Sequence, residues 1–152
     1  MARMTFNEQL HSKKPAEVRT LEPHEVAKYG MTKALIADPL IYDAAMKKIP
    51  HGKLTTTDRV IEYIVKKYTA CGTCPLTGGI YMNLVANASD ERKGTDETPY
   101  WRTLKKDGEL NERYPGGIDA HRMRLEAEGH KVVQKGKRHF VVDYQNALHE
   151  IV

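Results

Sequence analysis

Between residues 38 and 88 apolar side chains recur every three or four positions in three separate runs, and this pattern constrains the fold more than any other feature of the chain. Asp38 followed by Pro39 reads as a helix N-cap with proline in the first turn. Leu40, Ile41, Ala44, Ala45 and Ile49 then fall on one helical face, and Pro50-His51-Gly52-Lys53 ends the helix. Any of Thr55, Thr56, Thr57 and Asp58 can cap a second helix, whose stripe is Val60, Ile61, Ile64, Val65 and Tyr68. A loop from Ala70 to Pro75 leads to a third, from about Thr77 to Ala88, with Ile80, Leu84 and Val85 on one face.

Residues 89 to 98 are polar and acidic and read as a loop. Trp101 to Asn111 has the pattern of a hairpin with Asp107-Gly108 at its turn. Tyr114-Pro115-Gly116-Gly117 is a second turn, followed by a helix from about Asp119 to Ala127 that Gly129 closes. Lys131 to Gln134 and His139 to Tyr144 read as strands, and Gln145 to Ile151 as a short final helix. Upstream, short helices are expected at Thr5 to Ser12 and Pro23 to Tyr29, the latter stopped by Gly30. The order helix, helix, loop, helix, hairpin is that of a winged helix-turn-helix. The expected fold is therefore mostly α with short β hairpins: an N-terminal arm (1–37), a winged helix-turn-helix-like domain (38–130), and a C-terminal hairpin and short helix packed on it (131–152).

Charge narrows function only slightly. Lys and Arg exceed Asp and Glu by 24 to 20, a net +4 that is compatible with nucleic acid without demanding it. Basic clusters at Lys47-Lys48, Lys66-Lys67, Lys105-Lys106 and Lys135 to Arg138 sit near element ends, where they can meet phosphates or simply face water. No apolar run reaches the ~20 residues of a membrane span. Met1-Ala2-Arg3-Met4-Thr5 leads into polar sequence rather than a signal peptide, so a cytoplasmic location is expected. The two cysteines, Cys71 and Cys74, form one C-x-x-C pair, which is half of a zinc site, and no second pair exists. Neither a metal nor a cofactor is expected.

Several segments in order resemble the DNA-binding domain of the alkylguanine-DNA alkyltransferase family and its alkyltransferase-like relatives. Ile49-Pro50-His51-Gly52-Lys53-Leu54-Thr55-Thr56 resembles that family's Ile-Pro-x-Gly-x-Val-x-Thr entry to its helix-turn-helix. Leu84-Val85-Ala86-Asn87 resembles the end of its recognition helix. Pro99-Tyr100-Trp101-Arg102 lines up with Pro-Cys-His-Arg, and the Asp107-Gly108 and Tyr114-Pro115-Gly116-Gly117 turns follow in place. Leu125-Glu126-Ala127-Glu128-Gly129-His130 resembles the closing helix with its active-site glutamate at Glu128. The resemblance covers roughly residues 38 to 130.

Two departures shape what the resemblance implies. Tyr100 stands at the nucleophile position and Trp101 at that of the assisting His. A phenol near ~10 is a poor substitute for a thiol near ~8.5, so methyltransferase activity is not expected. Gly78 falls where the family carries an Arg that replaces an extruded base, and Thr57 where it carries a Tyr that helps turn the nucleotide. The resemblance to alkyltransferase-like members then implies a non-catalytic protein that binds double-stranded DNA, with alkylated guanine as the lesion and a repair protein as partner. The implied base pocket is Tyr100, Trp101, Tyr114, Asn87 and Glu128. The implied DNA contacts are Thr56, Thr57, Gly78, Gly79, Asn83, Arg102, Lys105 and Lys106. Each has a plainer reading beside it. Gly78 and Gly79 can serve tight helix packing, Arg102 can pair with an acid inside the fold, and Tyr100 and Trp101 can fill a core. Two other functions stay open: a winged-helix protein-interaction or regulatory module, favoured by the uncharged third helix, and an enzyme acting through Cys71 or Cys74.

Overall fold

The protein is described by a computed structural model covering residues 4–152. Met1 to Arg3, the start of the expected arm, lie outside the described residues. Local signals govern the helix starts. Thr5 caps α1 (Phe6–His11) through a reciprocal capping box with Glu8. α2 (Pro23–Tyr29) ends at Gly30, whose φ of 69° is the left-handed region where glycine carries no penalty. The Asp38 carboxylate accepts from the Ile41 N–H to start α3 (Pro39–Met46), and α4 (Thr57–Lys67) begins directly after Thr56. α5 (Pro75–Arg92) follows, then α6 (Gly117–Ala127).

α5 is longer than its apolar stripe predicts. The polar stretch after Ala88 stays helical because its side chains are anchored elsewhere. The Ser89 hydroxyl donates to the Thr98 carbonyl, and Arg92 donates to Asn7 and Thr98. Glu91 accepts from the Phe6 and Asn7 backbone N–H groups at the start of α1.

Three small sheets complete the architecture. β1 (Glu17–Thr20) pairs antiparallel with β2 (Lys33–Ile36), which pairs parallel with β4 (Gly72–Thr73). Sequence reading placed no strand in this arm. β3 (Thr55–Thr56) pairs parallel with β5 (Thr103–Leu104). The expected hairpin over 101–111 is thereby reduced. Its turn forms, with Asp107 and Gly108 at φ of 67° and 81°, but only Lys105 and Glu109 bridge across it. Thr103 and Leu104 bind to β3 instead, and residues 100–102 form a 3-10 turn. The hairpin expected after residue 130 is present as β6 (Val132–Lys135) and β7 (Arg138–Val141). The final helix is a single 3-10 turn at Tyr144–Ala147.

One core joins these parts. Leu10 and Leu35 of the arm belong to the same buried cluster as Tyr42, Met46, Val60, Ile64, Val85, Leu104, Leu110 and Leu125. α5 passes through it, and Gly78 allows the approach: a Cβ there would lie 2.9 Å from the Tyr42 hydroxyl and 3.2 Å from Ile61 Cδ1. At Gly79 a Cβ would meet nothing within 4 Å. Gly78→Ala is therefore expected to cost about 1–2 kcal/mol through overpacking. Gly79→Ala should be neutral or gain up to about 1 kcal/mol in helix propensity. Urea denaturation of the two variants tests this, and equal effects would show that the α4–α5 contact is loose.

Candidate functional site

α4, α5 and the segment 105–113 enclose an open groove of about 400 Å³. Ile61 and Met82 supply apolar surface, and Gly79, Asn83, Asn111, Thr57, Lys105, Lys106 and Arg113 supply polar or cationic edges, with Asp58 and Glu112 beside them. Five residues singled out from the sequence as DNA contacts thus meet at one place: Thr57, Gly79, Asn83, Lys105 and Lys106. The amide of Asn111 donates to Asn83 Oδ1 at 3.0 Å and ties the segment to α5. Lys105 lies 3.8 Å from Glu112 and 4.0 Å from Glu109, so its charge is partly balanced.

Three other expected contacts lie elsewhere. Gly78 is buried against Tyr42 and Ile61, so it serves packing rather than a groove. Thr56 is 4% exposed within β3 and offers no surface to a phosphate. Arg102 faces inward. Its guanidinium donates to both Glu128 carboxylate oxygens at 2.9 Å and to the Ile49 carbonyl at 2.8 Å, which commits all three of its nitrogens to partners inside the fold.

The aromatic residues expected to wall a base pocket fill a core. Tyr100 and Tyr114 are 3% and 2% exposed, and Trp101 is 9% exposed. Tyr100 meets Trp101 and Tyr114 edge-on, with ring centroids 5.3 and 5.2 Å apart. The Tyr114 hydroxyl donates to the Thr103 carbonyl. Burial pushes the Tyr100 and Tyr114 phenols upward, away from the ionised form. The Arg124 guanidinium lies 4.2 Å from the Trp101 ring centroid and 5.7 Å from that of Tyr100, a cation–π contact that nothing in the sequence indicated.

Glu128 is committed to this core. Its carboxylate accepts from Trp101 Nε1 at 2.7 Å, from the Gly52 N–H at 3.1 Å and from Arg102. Burial opposes its charge, but Arg102, the Gly52 N–H and the indole outweigh that and hold its pKa below the usual carboxylate value. Asn87 donates to the Asn83 carbonyl one turn back on α5 and joins neither the aromatic set nor Glu128 through its amide N–H. His121, not singled out from the sequence, lies 1% exposed behind the groove. Its Nδ1 accepts from the Asn111 N–H at 3.1 Å, which fixes the proton on Nε2, and Nε2–H donates to the Trp101 carbonyl at 2.9 Å. Burial lowers its pKa to about 4.

Cys71 and Cys74 flank β4 and are both free and exposed. Two extended residues between them put their Cα atoms about 10 Å apart, beyond the ~7 Å a disulfide can bridge. Hydrogen bonds, first from the Thr32 side chain at Cys71 and from the Thr77 side chain at Cys74, lower both thiol pKa values. Among the described residues no group of three or more His, Cys, Asp or Glu could hold a metal ion, and no helix is long and apolar enough to cross a membrane.

No protein-family model matches the chain, and no curated protein matches it. Two solved structures are similar to it. One is S. pombe Atl1 in complex with damaged DNA containing O6-carboxymethylguanine, with a TM-score of 0.50, 21% identity, and coverage of 72% of this chain and 90% of that one. The other is S. pombe ATL in complex with DNA, with a TM-score of 0.51, 20% identity, and coverage of 72% and 91%. Over that 72% of its length the chain has the fold of the alkyltransferase-like protein Atl1.

Proposed function

We propose that this protein binds double-stranded DNA through the groove between α4, α5 and residues 105–113, and that it transfers no alkyl group. The observation that carries the reading is the convergence of Thr57, Gly79, Asn83, Lys105 and Lys106 on that one groove. The lysines and Arg113 suit phosphates, and the amides of Asn83 and Asn111 suit a base edge. The two S. pombe structures of this fold hold DNA, one of them with an alkylated guanine, which makes alkylated guanine the lesion to test. The groove lies within the size range of small-ligand sites, so it, rather than the sealed Tyr100–Trp101–Tyr114 cluster, is the place for a modified base. Alkyl transfer is disfavoured because Tyr100 is a buried phenol with its pKa raised.

The test is binding to a short duplex carrying one O6-methylguanine, against the unmodified duplex, at two salt concentrations. Salt-sensitive binding to both duplexes supports the DNA reading, and tighter binding to the modified one supports damage recognition. Replacing Lys105 and Lys106 together with Glu should weaken binding at least tenfold and flatten the log–log salt slope by about 1–2, one counterion release per lost phosphate contact. Absence of salt-sensitive binding would transfer the function to a protein-interaction module.

A further inference from the structure

The sheet of the N-terminal arm runs β1-β2-β4, so β1 is an edge strand, and all of Glu17–Thr20 is exposed. The Leu21 N–H donates to the Thr32 carbonyl at 2.9 Å, which fixes the alternation of the antiparallel ladder. Arg19 with Ala34 and Glu17 with Ile36 are then the hydrogen-bonded pairs. Val18 and Thr20 turn their N–H and C=O groups outward, and among the described residues no backbone hydrogen bond reaches them. Proteins commonly blunt such an edge with charge. Here the charges are of opposite sign. Glu17 and Arg19 are two residues apart and share one face of the strand, and Val18, 38% exposed, stands on the other.

Charge complementarity identifies the occupant. A second β1, antiparallel and related by a two-fold axis, meets the outward groups when the axis passes by Val18, Arg19 or Thr20. At Arg19 the axis sets that residue against its own copy, and like charges directly opposite are destabilising. At Thr20 it carries Glu17 past the end of the partner strand. At Val18 it sets Glu17 opposite Arg19 of the second copy, twice, at the non-hydrogen-bonded positions where side chains approach closest. Val18 then meets Val18 on the other face. We propose that β1 pairs with β1 of a second copy of this chain in the Val18-centred register and joins the two sheets into one. Arg19 already bonds Glu25 at 2.9 and 3.3 Å, but a guanidinium has five N–H donors and serves both carboxylates. A short strand buries far less than the ~800 Å² per partner of a standard interface, so the dimer is weak, with a Kd on the order of 0.1–1 mM. The pairing is independent of the DNA-binding reading.

The experiment is sedimentation equilibrium of the full chain over a concentration series up to about 1 mM, a ceiling set by the expected Kd. The unaltered protein is expected to rise from its monomer mass of 17.3 kDa toward twice that value. Glu17→Arg and Arg19→Glu each put like charges opposite one another at both positions, so each variant alone should associate at least about tenfold more weakly. Mixing the two variants sets opposite charges against each other again, so the mixture should recover association that neither shows alone. Val18→Pro removes an outward N–H and none of the ladder to β2, so it should abolish the dimer while the fold, checked by circular dichroism, is kept. It also decides the matter if Arg19→Glu does not fold. A chain that stays monomeric to the top of the series overturns the proposal. So does undiminished association of Glu17→Arg or Val18→Pro, or a mixture of folded variants that recovers nothing.

Discussion

Glu128→Ala is expected to destabilise the protein by about 3–5 kcal/mol, because it strands the Arg102 guanidinium, largely buried, without a counter-charge. The Gly52 N–H and the Trp101 indole N–H lose their acceptor at the same time. At 2–4 °C per kcal/mol for a chain of this size, the thermal midpoint should fall by about 10 °C. Glu128→Gln keeps one carbonyl acceptor and should fall between the two. Removing both charges, as Glu128→Gln with Arg102→Met, should recover part of the Glu128→Ala loss, since no unpaired ion then remains. Calorimetry of the four proteins decides it, and a loss below about 1 kcal/mol for Glu128→Ala would show that the pair does not hold this part of the core together. Activity toward DNA is expected to fall only in proportion to unfolding.

The second large effect is a loss of stability in mild acid. His121 is held neutral by burial, with a pKa of about 4, while an unfolded histidine titrates near ~6.5. As pH falls through ~6.5 the unfolded chain takes up a proton that the native chain refuses, so stability falls until about pH 4, where both states are charged. The gap is worth at most about 3 kcal/mol. His130 works in the same direction, because burial lowers its pKa too. Glu128 and Glu109, whose pKa values are depressed, add their losses at lower pH, as each carboxylate is protonated. Urea denaturation between pH 7 and 4.5 should therefore show a slope that His121→Gln flattens, with His130→Gln as the control for the remainder. An unchanged slope in His121→Gln would place the acid sensitivity elsewhere.

Much of the helical frame was legible because its signals are local. Asp38, Thr5 and Gly30 cap or stop helices by contacts within a few residues, and the stripe of α4 faces the core as its spacing requires, whereas in α3 Leu40 and Ala44 of the expected stripe are exposed and Tyr42 and Met46 join Ala45 in the core instead. What was not legible depends on distant partners. Glu17–Thr20 is exposed throughout and shows no alternation, so nothing local marks it as a strand; β2 and β4 pair it into a sheet. Asp107-Gly108 makes its turn, but Thr103 and Leu104 bind β3, nearly fifty residues upstream. The same division runs through the site. Lys105, Lys106, Thr57, Gly79 and Asn83 were named through the family resemblance, and the fold brings them to one groove. An internal acid partner for Arg102 was legible as an option, but not that it is Glu128, and the His121 bridge was not legible at all, because each joins elements that only the folded chain brings together.

The backbone at Leu54 has a consequence for synthesis. Leu54 donates to the Ala147 carbonyl and accepts from the His149 N–H, immediately before the threonines of β3 and the start of α4. A nascent chain can form the α3 and α4 helices early, but this seam stays open until residue 149 has cleared the ribosome. The entry to α4 is thus tied down only after residues 147 to 149 have been made, and a ribosome-bound intermediate arrested before that point should still exchange the Leu54 amide proton freely.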